Sequence, residues 1–447
     1  MPSKQTSSTF VTLYSMPGGT APNSILVGKD GMVWTTSSKQ NMLYRLDPKN
    51  NLIKKYEIPE ENAGHMSWSM IQDNEGSIWF SQFGENPLIR FDPTNESFMK
   101  LYPKDHPFQM KHDAKTDNIW YTTLGEKVGV VQNTGGGKSQ NSYKISEFSI
   151  GNETQTSGLS VEGDSIWITE LEKGRILKFN PIYSNNGTIV DMEKILEVPS
   201  NNTQSFSIPT DILVTKNNTL WITEHGPSTI TKFDLESQKS VRLPTAKSEY
   251  DVATLPFWLR QSLDGEGIWS NEHEGGSVIF LTNNMTFTEF HIPNNDPNSI
   301  SFMLNLAEDP NNPNKLWFSL WSLDKIGVID KSVLIPFDIY SEDKKITFSE
   351  GVHQSLIHLK IVKIPGHDLN NGMLYLNASS SMDPGGDLKN MTASFSQNLI
   401  DTTNMTQPIN VQLSLNDQSL RKGNYTIGIS IGNNLVTKTI FEYVTVK

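Results

Sequence analysis

The 447-residue chain contains no cysteine. It can therefore form no disulfide framework and no thiolate metal site, and it holds no cysteine nucleophile. No run of about 18 consecutive apolar residues occurs, so no segment reads as a transmembrane helix. Positive charge is in deficit, with 37 Lys and Arg against 49 Asp and Glu, a formal net charge of −12. A nucleic-acid binder needs a basic footprint to neutralise phosphate, so nucleic acid is excluded as a general partner. Small or cationic partners fit the balance better. Long helical periodicity is also missing. The start, Met1 to Thr9, is polar and lacks the apolar core of a secretory signal.

What is abundant is uncharged and polar. Asn, Ser and Thr suit short strands and many turns, and Asn-x-Ser/Thr sequons begin at Asn95, Asn152, Asn186, Asn201, Asn217, Asn284, Asn377, Asn390, Asn404 and Asn424. Together with the C-terminal segment described below, this composition leads us to expect an exported glycoprotein, extracellular or on the cell surface.

An internal repeat organises the first three quarters of the chain. An aliphatic residue, Trp, and then alternating apolar and hydroxyl residues recur as MVWTTS, SIWFSQ, NIWYTT, SIWITE, TLWITE, GIWSNE and KLWFSL. The tryptophans are Trp34, Trp79, Trp120, Trp167, Trp221, Trp269 and Trp317, spaced by 45, 41, 47, 54, 48 and 48 residues. That is the period of a four-stranded propeller blade. A second apolar run follows each Trp closely, as in LYRLDP (43–48), LIRFDP (88–93), ILKFNP (176–181) and ITKFD (230–234). A third run ends at Pro59, Pro199, Pro244 or Pro293. Adding the run before each Trp gives four strands per unit. The last unit lacks a fourth strand after DKIGVID (324–330), and TFVTLYSMP (9–17) supplies one from the N-terminus. The expectation is an all-β chain, a seven-bladed β-propeller over 9–332 closed by its N-terminal strand, which removes exposed sheet edges.

Beyond Trp321 there is no further Trp, and short alternating runs such as SLIHLKIVKI (355–364), NVQLSLN (410–416) and VTKTIFEYVTV (436–446) take over. Residues 333–447 are expected to form an immunoglobulin-like β-sandwich that spaces, docks or stabilises.

The unit as a whole resembles the streptogramin lyase (virginiamycin B lyase) family of seven-bladed propellers. The resemblance is carried by Asp30-Gly31 with Trp34, by Trp167-Ile168-Thr169-Glu170, by Trp221-Ile222-Thr223-Glu224 and by Lys325-Ile326-Gly327. It implies the opening of a cyclic depsipeptide antibiotic by elimination at an ester, with Mg²⁺. The family pattern places histidines in Pro-His-Gly/Ala-Ile starts of late blades and a glutamate after the last Trp motif. This chain carries Phe257 (in Pro256-Phe257-Trp258-Leu259) and Phe302 (in Ser301-Phe302-Met303-Leu304) at those histidine positions, and Leu320-Trp321 at the glutamate position. An aromatic ring cannot exchange the proton such an elimination requires, so the lyase mechanism is expected to be absent.

Blade geometry brings first-strand starts and second-strand ends to one mouth of the ring. There the chain places Glu170, Glu224 and Glu272 on successive blades, with His225, His273 and Glu274 beside them. Such a cluster can serve as an acid/base set (Glu170, Glu224, Glu272, His273), as a divalent-metal site (Glu224, Glu272, with Mg²⁺ or another divalent cation), or as a cation-binding rim. Alternatively, each glutamate pairs with a basic residue of its own or a neighbouring blade, such as Lys178 or Lys232. Trp68, Phe108, Phe257, Trp258, Phe302 and Trp321 either line a ligand pocket together with His225 and Glu274 or pack in the blades. The leading expectation is a recognition module for a peptide, glycan or small molecule at the channel mouth. The alternatives are a lyase or hydrolase with altered catalytic residues, and a structural surface protein without a ligand.

Overall fold

The structure is a computed structural model that describes residues 3–59, 66–82, 87–137, 139–199, 205–215, 218–245, 253–294, 301–342, 346–348, 354–365, 372–383, 391–417 and 422–447. Among the described residues there is no α-helix, only strands and two short 3₁₀ turns. No helix among them is long and apolar enough to cross a membrane.

The repeat folds as successive antiparallel meanders. The first sheet comprises Pro22–Val27, Val33–Ser37, Met42–Asp47 and Leu52–Glu57, and the second Met70–Gln72, Ile78–Ser81, Leu88–Asp92 and Ser97–Leu101. The third runs from Met110–Asp113 to Tyr143–Ser149, the fourth from Thr156–Glu162 to Ile189–Val198, and the fifth from Pro209–Thr215 to Lys239–Pro244. The sixth holds Pro256–Gln261, Gly267–Glu272, Ser277–Thr282 and Phe287–His291. The seventh holds Met303–Glu308, Lys315–Leu320 and Lys325–Asp330, the N-terminal strand Val11–Ser15 joins it as the fourth, with Val11 opposite Ile329 and Ser15 opposite Lys325, and the short strand Gln5–Ser7 pairs outside that as a fifth. Tight turns join the strands. Gly31, at φ +79°, adopts the left-handed backbone that the first Asp-Gly turn requires.

All seven repeat tryptophans are buried, from 0% exposed at Trp79 to 8% at Trp221. The third strand lays a cation over several of them. Arg45, Arg90, Lys178 and Lys232 sit directly cross-strand from Trp34, Trp79, Trp167 and Trp221, with charges 5.1–6.0 Å from the ring centres. The basic residue in each Arg/Lys-apolar-Asp/Asn run is thus a cation–π cover for its own Trp.

Hydroxyl and amide groups two residues after the Trp join neighbouring sheets. Thr122 donates to the Ser157 carbonyl, Thr223 to Phe257, Asn271 to Met303 and Ser319 to Asn23, at 2.5–2.9 Å. Ser67 joins Ser24, Met110 N–H donates to Ser69, and Ser157 donates to the Thr210 carbonyl. These contacts lead from the first sheet through the others and back to it. They satisfy polar groups where the first strands crowd together, and they explain the hydroxyl alternation in the repeat.

The C-terminal part forms two sheets whose apolar faces share one core, for example Ile357, Leu359 and Leu413 with Ile427, Ile429 and Leu376. It is not detached from the meanders. The last strand, Val436–Val446, pairs antiparallel with the outer strand of the sixth sheet, with Phe287 opposite Thr439 and Phe290 opposite Val436. One nine-stranded sheet therefore runs through both parts.

Candidate functional site

The first-strand starts of the second, third, sixth and seventh sheets bring their aromatic rings into a continuous series. Trp68 meets Phe108 at 5.4 Å between ring centres, Phe108 meets Trp258 at 5.8 Å and Phe257 at 6.4 Å, and Phe257 lies 5.6 Å from both His225 and His273. His273 continues to Phe302 at 6.0 Å, and Phe302 to Trp321 at 6.3 Å. Phe108 and Trp258 are buried at 2% and 1% exposure and form the floor. Trp258 is fixed by its indole N–H donating to the Leu304 carbonyl at 2.5 Å. Trp68, His225, Phe257, His273, Phe302 and Trp321 are each half-buried.

Burial holds both histidines neutral. The His225 ring is pushed below its ordinary value by loss of solvent, and His273 falls to about 4 through burial and the neighbouring His225. Two ring nitrogens in this surface, Nε2 of His225 and Nε1 of Trp68, are buried and have no hydrogen-bond partner. Such groups are costly to leave unmet. An apolar floor, half-open rings and unpaired ring nitrogens together make a surface suited to a ligand with a flat or apolar face and a few polar atoms.

The carboxylates do not join this rim as a set. Strand alternation turns Glu224 into its own sheet while the adjacent His225 meets the aromatic series. Glu224 is fully buried and accepts from Arg242 at 2.8 and 3.4 Å, from the Thr231 hydroxyl and from the Ser207 N–H at 2.6 Å. Glu170, equally buried, is held by the Arg175 guanidinium, with the Lys173 ammonium at 3.5 Å. Arg175 also donates to Glu197 at 2.6 Å. The cations are therefore Arg175, Lys173 and Arg242. Lys178 and Lys232, expected as examples of such a basic partner, instead cover tryptophans.

Glu272 differs from both. It is 2% exposed, and burial together with the nearby Glu289 charge holds its carboxyl well above the ordinary range against a Ser277 hydrogen bond, whereas its unpaired Oε1 is a feature it shares with Glu170. Glu274 is half-buried, and its N–H donates to the Thr254 carbonyl. Among the described residues, no group of three or more His, Asp or Glu is arranged to hold a metal ion. The Glu224 oxygens proposed for a cation face a guanidinium.

Sequence reasoning did not single out Arg175, Arg242, Glu197 or Glu289. Their signal lay in the fourth strands. Glu197 and Arg242 both stand two residues before a proline, but in the sixth repeat the proline is displaced by two residues, so His291 occupies the place of Pro199 and Pro244 and hides Glu289.

No protein-family model matches the chain, and no curated protein matches it in sequence. Solved structures do share its fold. Virginiamycin B lyase from Staphylococcus aureus aligns at a TM-score of 0.56 and 19% identity, over 73% of this chain and 99% of that one. A catalytically inactive form of that enzyme with quinupristin aligns equally well. A streptogramin B lyase aligns at 0.56 and 20% identity, over 72% and 97% of the two chains. An extracellular domain, described as that of a one-component system from B. thetaiotaomicron, aligns at 0.51 and 13% identity over 99% of this chain and 59% of that one. The fold is a streptogramin lyase-like propeller. At these identities the likeness concerns fold alone.

Proposed function

We propose that the chain is an exported recognition module, a seven-bladed propeller over 9–332 followed by an immunoglobulin-like sandwich over 333–447. Its binding surface is the aromatic and histidine rim, and its ligand is a peptide, glycan or small molecule with a flat apolar face. The observation that carries this reading is the rim itself. Half-buried rings from separate sheets converge on His225 and His273, and two ring nitrogens in the rim lack partners. Blade cores do not require aromatic residues at a solvent-facing mouth.

Export is supported by the sequons. Asn95, Asn152, Asn186, Asn284, Asn377, Asn404 and Asn424 are all exposed, whereas Asn201, Asn217 and Asn390 lie outside the described residues. The alignment with an extracellular domain agrees with it. An enzyme using Glu170, Glu224, Glu272 and His273 has less support, because Glu170 and Glu224 are occupied by buried or half-buried arginines. Phe257, Phe302 and Trp321 also offer no proton.

The rim is testable through its own tryptophans. Quinupristin, aromatic dipeptides and short oligosaccharides, screened by Trp fluorescence, should give a saturable change for one class. That binding should weaken at least tenfold in Phe257→Ala and in His225→Ala. A ligand whose affinity is unmoved by both substitutions would place recognition elsewhere.

A further inference from the structure

The hairpin that joins the third and fourth strands of the sixth sheet carries one of the sequons, Asn284-Met285-Thr286. Its loop has three residues, Asn283, Asn284 and Met285. Thr282 N–H donates to the Thr286 carbonyl and Met285 N–H to the Thr282 carbonyl, both at 3.0 Å, and Met285 takes the left-handed backbone, φ +62°, that closes such a loop. The two asparagines are held differently. Asn283 is tied to the turn between the first two strands of the sheet, its side-chain amide donating to the Gly265 carbonyl at 2.8 Å and its backbone N–H to the Glu266 carbonyl at 3.0 Å. Asn284 is exposed, and its carboxamide makes no hydrogen bond among the described residues.

Asn284 and Thr286 both line a cleft of about 680 Å³ between this hairpin and the C-terminal part, within the span of about 300–1,000 Å³ usual for ligand pockets. The facing wall comes from Phe337–Ser341 and Val436–Val446, which contribute Tyr340 and Tyr443. Both rings stay exposed, at 51% and 41%. Asp338 and Lys438 add an ion pair at 3.1 Å, and the Tyr340 hydroxyl donates to Asp338 at 2.9 Å. The cleft therefore offers two aromatic rings beside charged and hydroxyl groups, and the acceptor amide of a sequon belongs to its lining. Asn377, in another exposed sequon, also lines a cavity where the two parts meet, but it stands inside a paired strand opposite Ser430. Asn404 gives a matched comparison. It is exposed, it begins the same tripeptide, Asn404-Met405-Thr406, and it lines neither of these cavities.

We propose that Asn284 carries an N-linked glycan whose first sugars lie in this cleft against Tyr340 and Tyr443, joining the sixth sheet to the C-terminal part. The inference rests on the export reading, because this modification belongs to surface loops of secreted chains. The donor is an oligosaccharide held by its first sugar on a lipid phosphate or pyrophosphate. The bond from the anomeric carbon to the phosphate oxygen breaks, and a bond from that carbon to Nδ2 of Asn284 forms. Nδ2 gives up one proton, and the lipid phosphate leaves with the bonding electron pair, so nothing is oxidised or reduced. A pyranose suits these walls. The C–H bonds of its flatter face turn slight positive charge toward the negative face of an aromatic ring, and its hydroxyls pair with Asp338 and Lys438. Because the glycan is rooted on the hairpin, its contact with the tyrosines is intramolecular and needs little intrinsic affinity.

The test uses the protein isolated from the cells that make it, divided into surface and cytoplasmic fractions, with glycopeptides mapped by mass spectrometry. A glycan at Asn284 in the surface fraction is the expected result. Glycosidase trimming at Asn284 in the native protein should be at least tenfold slower than in Tyr340→Ala/Tyr443→Ala, which removes two exposed rings, while trimming at the other occupied sequons is the same in both. Asn284→Gln should lower the Tm by a few degrees and speed amide exchange in Val436–Val446, and Asn404→Gln should change neither. Surface protein with a bare Asn284 would overturn the proposal and leave export standing. Protein confined to the cytoplasm would overturn export and the proposal together. Equal trimming at Asn284 in wild type and the tyrosine variant would place the sugars outside the cleft and overturn the proposal while export stands.

Discussion

At the scale of single residues, the buried ions decide what is structural. Arg242 and Glu224 are 2% and 0% exposed, and each satisfies the other. Removing one partner of such a pair leaves an uncompensated buried charge and costs about 3–5 kcal/mol, whereas removing both costs less. Arg242→Met should therefore lower stability in urea by that amount, and Glu224→Gln/Arg242→Met should recover part of the loss. If the double variant is worse than the single, Glu224 has another role. The histidines predict a pH response of definite sign. His273 and His291 have folded-state values near 4, below the ordinary 6.5. Between these values the unfolded chain binds more protons, so their contribution is full above pH 6.5 and is lost as pH falls toward 4, by at most about 1.4 kcal/mol per pH unit for each ring. Glu272 acts in the opposite sense. Its raised folded value contributes stability that is full below the ordinary carboxylate range and lost as pH rises through that value. Urea titrations at pH 4.5, 5.5, 6.5 and 7.5 should show a steeper acid decline in wild type than in His291→Gln, and a flatter alkaline side in Glu272→Gln. The residue types at these positions were legible in the sequence. Their partners were not, because Glu197, Arg242 and Glu289 share one register on the fourth strands while the proline that marks it is displaced by two residues in the sixth repeat.

At the scale of elements, much more was legible. Trp spacing, the Asp-Pro stops and the unmatched run at 9–17 were enough to expect four-stranded meanders and an N-terminal strand completing the last of them. That pairing has a consequence for stability. Phe10, Val11, Leu13, Tyr14 and Met16 are all buried, and Val11–Ser15 covers the edge of Lys325–Asp330. Removing residues 1–16 strips this apolar surface and exposes a strand edge ready to pair with another chain. The truncated protein should elute as dimers or larger species in size-exclusion chromatography and melt well below the full chain, and a monomer of unchanged Tm would contradict this account. Contact between sheets is equally close at Gly158, where a Cβ would lie 2.6 Å from the Asp211 backbone. Gly158→Ala should cost about 1–3 kcal/mol through overpacking. The close approach was invisible in sequence because it depends on how two sheets meet and not on either strand alone.

At the scale of the whole molecule, the sequence suggested a boundary near residue 333, and composition does change there. The backbone ladder does not stop. Val436–Val446 extends the sixth sheet, Phe441 meets Phe287 at 4.7 Å between ring centres, and one apolar cluster includes Phe290 and Trp269 together with Ile427 and Val436. A strand taken from the far end of the chain is a long-range pairing, and local periodicity carries no signal of it. A cavity lined by Glu272 and Ser277 of the sixth sheet and by Tyr375 and Asn377 of the C-terminal part lies along the shared sheet, so folding of the C-terminal part and completion of that cavity are linked. If the two parts are one cooperative unit, they unfold together. No Trp lies beyond Trp321, so Trp fluorescence reports the meanders alone, while amide exchange in Gly423–Gly432 reports the C-terminal part. Phe287, 1% exposed on the shared sheet, should cost about 3–5 kcal/mol when replaced by alanine. With cooperative unfolding, Phe287→Ala lowers the fluorescence midpoint and speeds exchange in Gly423–Gly432 by matching free energies. A shift in one probe with none in the other would mean that the common sheet is a contact between independent bodies.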